Sequence, residues 1–420
     1  MIARDIVRPI SRSIVSSILG YDTDAQAYFD AVEAASGSFD LTAVDGYDSD
    51  FSAGTDGWIS FNGTGGVSDS VYNYTPNTSS APHQSVKETL TLGEEYSFSI
   101  DVRADSGNSL VDGVNISNSS GSAIVSESLV AGVWETITGT FTADGANFRV
   151  YATIAGSTST ASNGTDFISF RNVRIRNTAY STYTESYIKT AHSNFYAGLK
   201  TDGVWDKLTE FYLLAGKTFD GLTVKGKGTG TLTNNNFVTG DYLGVGTGAG
   251  LTGDGSTKYL DTGLSGGSLD GDDHSLSGYV QAFTISGRFL VGMRDGVGVT
   301  AGTEILVNLE GHQVRMPFSS AGMATSANGA SYLVGSRRGA NDAEAYVNGV
   351  SDATDTSTAS LTLASYPYYL FAANDGGSSL SRSDATLTFA HIGTGLTDTD
   401  ASNLSTRVNT LMTALGCNVY

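Results

Sequence analysis

The chain is nearly devoid of cysteine: Cys417, three residues before the C-terminal Tyr420, is the single one in 420 residues. That excludes an intrachain disulfide and any cysteine-based metal site. Proline is scarce at 5, and 23 Lys plus Arg face 43 Asp plus Glu, for a formal net charge of −20. Nucleic acid is gripped by clustered Lys and Arg, so no nucleic-acid partner is expected. No run reaches the ~20 apolar residues of a membrane span, so no membrane insertion is expected either. What fills the chain is 52 Gly, many Ser, Thr, Asn and Asp, and a strand-forming set that includes 21 Tyr and 18 Phe. Turn formers interleaved with strand formers imply many short strands joined by tight turns. With 40% hydrophobic and 16% charged residues the chain is expected to fold rather than stay disordered.

Chemistry-bearing constellations are missing as well. His83, His192, His274, His312 and His391 are scattered, with no His-x-His or His-Glu-x-x-His pair to hold a metal. A glycosidase needs paired carboxylates facing one cleft, ~5–5.5 Å apart for retention. Glu304, Glu310 and Glu344 have no such neighbour, and Asp270, Asp272 and Asp273 sit in a Gly-rich loop that suggests a solvated turn or a weak cation site. The Gly-rich run 244–250 does not open a helix after a strand, which rejects a dinucleotide fingerprint. No catalytic residue, no metal ligand set and no cofactor are expected, and a structural calcium ion is left open without a motif for it.

Along the chain four zones differ. Residues 1–20 interleave Ile6, Ile10 and Ile14 with Arg4, Arg8 and Arg12, a basic stretch on an acidic chain. The arginines interrupt any hydrophobic core of an export signal, so none is expected there. The stretch suggests an anchoring arm. Apolar residues at helical spacing (Ala25, Tyr28, Phe29, Val32, Ala35) behind Asp22 or Asp24 predict a helix over 22–36. A second helix is predicted from about Tyr183 to Asp202-Gly203, and a short third from Val204 to Leu214. Residues 21–47 and 180–216 thus form a helical subdomain split by a β block, 48–179. Within that block Tyr96, Phe98, Ile100 and Val102 alternate with a period of two. The fourth zone, 217–420, reads as a second β domain. The fold class is mostly β: two β-sandwich (jelly-roll) domains, a small helical subdomain and an N-terminal arm.

Two resemblances sharpen this. The block 48–179 opens on Gly57-Trp58, carries Leu92-Gly-Glu-Glu-Tyr-Ser-Phe-Ser and Trp134-Glu-Thr-Ile-Thr-Gly-Thr-Phe-Thr, and closes on Phe167-Ile-Ser-Phe-Arg-Asn-Val. It resembles a carbohydrate-binding-module jelly roll. Arg171-Asn172 stands where that pattern carries an acidic pair, which puts a structural calcium in doubt. The end of the chain, with Glu344-Ala-Tyr-Val-Asn-Gly, then Ala385-Thr-Leu-Thr-Phe-Ala-His-Ile and Leu396-Thr-Asp, resembles the closing half of a concanavalin A-like (laminin-G-like) sandwich. The combination, with its basic N-terminal stretch, resembles bacteriophage virion proteins.

These resemblances imply a fibre, spike or decoration protein on a virion surface, anchored by its arm and binding host-surface polysaccharide. Its partners would be other virion proteins and its own copies, as a homotrimer. Sugars stack on aromatic rings in polar surroundings, which singles out Tyr72 and Tyr74, and Tyr366, Tyr368 and Tyr369. Trp58 and Trp134 are expected in the core of the 48–179 module, and Trp205 where helices meet the sandwich. The alternatives are a structural head or tail subunit without glycan binding, and a glycan-degrading enzyme.

Overall fold

Asp22 starts the first helix as expected: its Oδ1 accepts the N–H groups of Asp24 (3.0 Å) and Ala25 (3.3 Å), ending orphan donors at the head of α1 (Thr23–Ser36). The computed structural model describes residues 20–36, 39, 41, 47–52, 54–82, 84–296, 301–316, 322–360 and 362–420. The proposed arm residues Arg4, Ile6, Arg8, Ile10, Arg12 and Ile14, and His83, lie outside them.

The chain divides into two compact units, one made of 1–41 with 183–420 and the other of 42–182. In the first, α1 packs on α2 (Glu185–Thr201), which Thr184 caps and Gly203 terminates at φ +72. Tyr28 lies 5.7 Å from His192 and 6.1 Å from Tyr196, ring to ring, and Lys200 grips Asp22 at 2.7 Å. The helices do not stand apart as a subdomain: they group with the sandwich.

The third predicted helix is absent. One 3-10 turn (Trp205–Lys207) leads into a strand, Leu208–Leu213, paired antiparallel with Thr386–Gly393. Trp205, Leu208, Phe211 and Tyr212 matched helical spacing because a strand buried on both faces presents a nearly continuous apolar run, which spacing cannot tell from a helix. Trp205 packs on Tyr196 (5.5 Å) and Phe211 (6.1 Å).

The sandwich itself pairs an eight-stranded with a nine-stranded sheet among the described residues. Its hairpin at Asn348-Gly349 has positive φ at both residues (52° and 82°), as a type I′ turn requires. The closing helix α3 (Asp398–Ala414) is fixed by a capping box: Thr397 Oγ1 accepts the Asp400 N–H (3.3 Å) while Asp400 Oδ2 accepts the Thr397 N–H (2.9 Å). Thr397→Ala should cost about 1 kcal/mol, visible as a lower urea midpoint at unchanged slope.

Lys217, fully buried, illustrates the polar cost of this core. Its Nζ donates to the carbonyls of Leu222 (3.1 Å) and Val224 (2.8 Å), which uses both protons of a neutral amine. Desolvation pushes its pKa from 10.5 down to about 7. Between those two values the unfolded chain holds a proton that the folded chain lacks, so stability rises with pH from about 7 to 10.5, and the full penalty applies below. Lys217→Met should flatten that rise in a series of pH-dependent denaturation curves. An unchanged slope would mean that the amine is charged in the fold.

Among its described residues the second unit holds eleven strands in two facing sheets. β3 (Gly63–Ser68), β4 (Val71–Pro76), β11 (Ile168–Asn177), β6 (Glu95–Ala104) and β9 (Glu135–Thr142) form one, with β1 (Tyr47–Ser49) pairing β11. The other runs β2 (Ile59–Phe61), β5 (Gln84–Glu88), β10 (Asn147–Thr153), β7 (Gly113–Ser117), β8 (Ala123–Ser128). The crossed strand order is that of a jelly roll. Tyr96, Phe98, Ile100 and Val102 all face inward against Phe148, Val150 and Phe170. The fold is mostly β, with antiparallel sandwiches.

Candidate functional site

In a sheet, directly paired residues share a face, so register lays out the open surface of the five-stranded sheet. One row crosses all five strands: Phe61 opposes Gln84, Gln84 opposes Tyr151, Tyr151 opposes Asn115 and Asn115 opposes Ser126. A second row runs Ile59, Val86, Arg149, Ser117, in which Val86 and Ser117 are covered and Ile59 and Arg149 carry the accessible groups. The row between them (Ser60, Ser85, Val150, Ile116) turns into the core.

The outer rows are chemically graded. At the β2 edge Phe61 and Ile59 stand 47% and 60% exposed, a cost in water unless something covers them. Toward the centre the face becomes polar: Arg149 Nη1 approaches Gln84 Oε1 at 3.3 Å and the Tyr151 hydroxyl at 3.4 Å, and Asn115 Nδ2 donates to Ser126 Oγ at 2.7 Å. Arg149 has no carboxylate partner among the described residues, and its buried Nε makes no hydrogen bond. Tyr151 is only 6% exposed, so it offers its hydroxyl edge rather than a ring face. A free aromatic ring beside a row of amide, guanidinium and hydroxyl groups can stack the CH face of a sugar and hold its hydroxyls.

Tyr72 and Tyr74 are not on that surface. They are 1% and 0% exposed, because in β4 their parity points them inward. They act from behind: the Tyr74 hydroxyl donates to the Phe61 carbonyl (2.6 Å), and the Tyr72 hydroxyl meets Ser60 Oγ (2.8 Å), pinning the strand that carries Phe61. Desolvation holds the Tyr74 hydroxyl above its ordinary value, so it remains a donor. Trp58 is in the core as expected, but Trp134 is half-buried outside it.

In the other unit Tyr368 is fully buried, its hydroxyl 2.9 Å from Thr303 Oγ1. Tyr369 is covered by Tyr259 at 4.7 Å, and Tyr366 alone of the three offers a partly open ring, 36% exposed. Two of the candidate acids, Glu304 and Glu344, have structural partners, and Glu310 is exposed. Glu304 pairs with Arg315 (2.5 Å), and Glu344 takes Arg338 (2.9 Å) and the Tyr346 hydroxyl (2.8 Å). Asp272 holds the buried Arg337 (2.9 Å), and Asp273 accepts the Gly395 N–H (2.8 Å), so that loop is a structural clasp rather than a solvated turn. His192, His274 and His391 are buried and pushed down to about 4, 4 and 3, by desolvation first, which keeps them neutral. Among the described residues no group of three or more His, Cys, Asp or Glu is placed to hold a metal ion.

Residues 46–160 match the family of the carbohydrate binding domain. Among solved structures, the CBM22-1 xylan-binding domain of Paenibacillus barcinonensis Xyn10C is similar at 15% identity and a TM-score of 0.24, over 31% of this chain and 91% of that one. A structure described as "CBM4 structure and function" is similar at 18% identity and a TM-score of 0.22, over 32% and 96%. A sugar-binding C-terminal domain of EclA reaches 24% identity and a TM-score of 0.21, over 26% and 79%. None of the curated proteins compared matches the chain. Residues 46–160, within the 42–182 unit, are thus similar to a carbohydrate-binding domain.

Proposed function

We propose that the chain is a glycan-binding surface protein whose 42–182 unit grips a polysaccharide on the open face of its five-stranded sheet. The observation that carries this is the register: it aligns exposed Phe61 and Ile59 with Gln84, Arg149, Tyr151 and Asn115 into one continuous surface. The carbohydrate-binding-domain match over 46–160 supports glycan binding by this unit. The ligand is a polysaccharide chain rather than a single sugar, since one row crosses five strands and the other four, at about 4.8 Å spacing.

The finer reading is a bacteriophage virion subunit, tied to the particle through residues 1–20 and touching host-surface glycans through many weak copies. Multiple copies raise effective affinity by ~10²–10⁴ where geometry allows simultaneous contact. It is supported by the basic Arg4, Arg8, Arg12 stretch on an otherwise acidic chain, and it assigns no catalysis.

The test is a glycan array and host-cell binding with the intact chain, competed by soluble polysaccharide. Saturable, competable binding is the expected result. No binding to any glycan from folded, assembled protein would leave the structural-subunit reading in its place.

A further inference from the structure

The opposite face of the same unit carries a second set of groups with no assigned use. Trp134 precedes β9 by one residue and shares the outward parity of Thr136 and Thr138. Its indole lies against two guanidinium groups, Arg171 at 4.2 Å and Arg103 at 4.8 Å from the ring centroid. Both arginines rise from the outer side of the six-stranded sheet, Arg103 on β6 opposite Ser169 and Arg171 on β11 opposite Asp101.

Charge on this patch is not balanced. The carboxylate that pairs with it among the described residues is Asp101, already held by Thr136 Oγ1 (2.7 Å) and Asn172 Nδ2 (2.8 Å), with Arg171 Nε at 3.6 Å. Arg103 makes no ion pair and no side-chain hydrogen bond among the described residues, and the buried Nε of Arg171, though 3.6 Å from Asp101, makes no hydrogen bond. On a chain of net charge −20, an unpaired guanidinium beside a half-buried indole is not explained by packing alone.

The backbone is also irregular here. Register shifts between Arg171 and Arg174, and Asn172 adopts φ +48. A bulge of this kind re-aims side chains and costs strain, and it is commonest at sheet edges and beside functional sites.

The geometry points to a second binding site on this face, for an anionic sugar residue carrying a carboxylate or a sulfate ester. Trp134 supplies a flat apolar surface, while Arg103 and Arg171 supply forked donors that match a carboxylate or sulfate bidentately. Cation–π contact pre-orients both forks, so little side-chain entropy remains to be lost on binding. The site does not depend on the five-stranded face, and the two can succeed or fail separately.

The test is isothermal titration of the full chain with trigalacturonate, a sulfated disaccharide, neutral xylotriose and a short single-stranded DNA. Trigalacturonate or the sulfated sugar should bind and weaken with added salt, whichever binds naming the anion. Trp134→Ala and Arg103→Ala should each weaken that binding about tenfold or more, from the loss of a charge-assisted contact. Arg103→Lys keeps the charge without the fork and should recover only part of it. Phe61→Ala should leave it unchanged. Unaltered melting curves would show that the variants fold. Absence of binding by either anion, binding indifferent to Trp134 and Arg103, or equal binding of DNA would each overturn the proposal.

Discussion

Glu210→Ala is expected to destabilise the unit that carries it by about 3–5 kcal/mol, on the order of 10 °C in its calorimetric transition. Glu210 is 4% exposed, and its carboxylate receives the Lys225 ammonium at 2.7 and 2.8 Å and the Tyr212 hydroxyl at 2.6 Å. Lys225 spends another proton on the Thr262 carbonyl at 2.8 Å. Removing the carboxylate strands the ammonium and the phenol in a dry core with one acceptor between them. The loss measures that stranded charge more than the worth of the pair. Replacing both partners, Glu210→Leu with Lys225→Met, should therefore recover most of the loss, since an apolar pair needs no solvation. A double replacement as damaging as the single one would put the cost in packing. The transition of the 42–182 unit should not move in either variant, because the two units have separate cores.

The buried pair also marks what sequence could not convey. Glu210 shares the parity of Leu208 and Tyr212 in the strand Leu208–Leu213, so alternation puts an acidic residue on a buried face. Nothing in Leu208-Thr-Glu-Phe-Tyr-Leu signals a partner 15 residues on. By contrast, the Tyr96 to Val102 alternation, the Asp22 cap, the Asn348-Gly349 turn and the Thr397 cap are local, and each was readable without a fold. Parity alone could have corrected two expectations. Trp134 shares the even positions of Thr136 and Thr138, opposite to buried Ile137, and Tyr72 and Tyr74 alternate with exposed-side Asn73. Their polar neighbours suggested a surface, whereas period two suggested an inner face, and the period prevailed. Phe61 had a faint local signal, two apolar residues flanking Ser60 before Asn62-Gly63. Its relation to Gln84, Tyr151 and Asn115 exists only through register across distant strands.

For the same reason the five-stranded face is best tested residue by residue. Phe61→Ala should weaken glycan binding about tenfold while leaving the melting curve in place, because a ring 47% exposed contributes little to the core. Arg149→Ala should cost more, about 10–100-fold, since hydrogen bonds to a charged group carry about 1.5–3 kcal/mol. Tyr74→Phe separates positioning from contact. Its hydroxyl touches no ligand surface, yet it holds the Phe61 carbonyl from within the core at 2.6 Å. If Phe61 works as a fixed platform, this variant lowers affinity without removing any group from the face. If affinity survives both Phe61→Ala and Tyr74→Phe but not Arg149→Ala, recognition is polar and the ring is incidental. Loss in all three, with Trp134→Ala silent toward neutral sugar, would locate polysaccharide binding on this face and leave the arginine-flanked tryptophan to its own ligand.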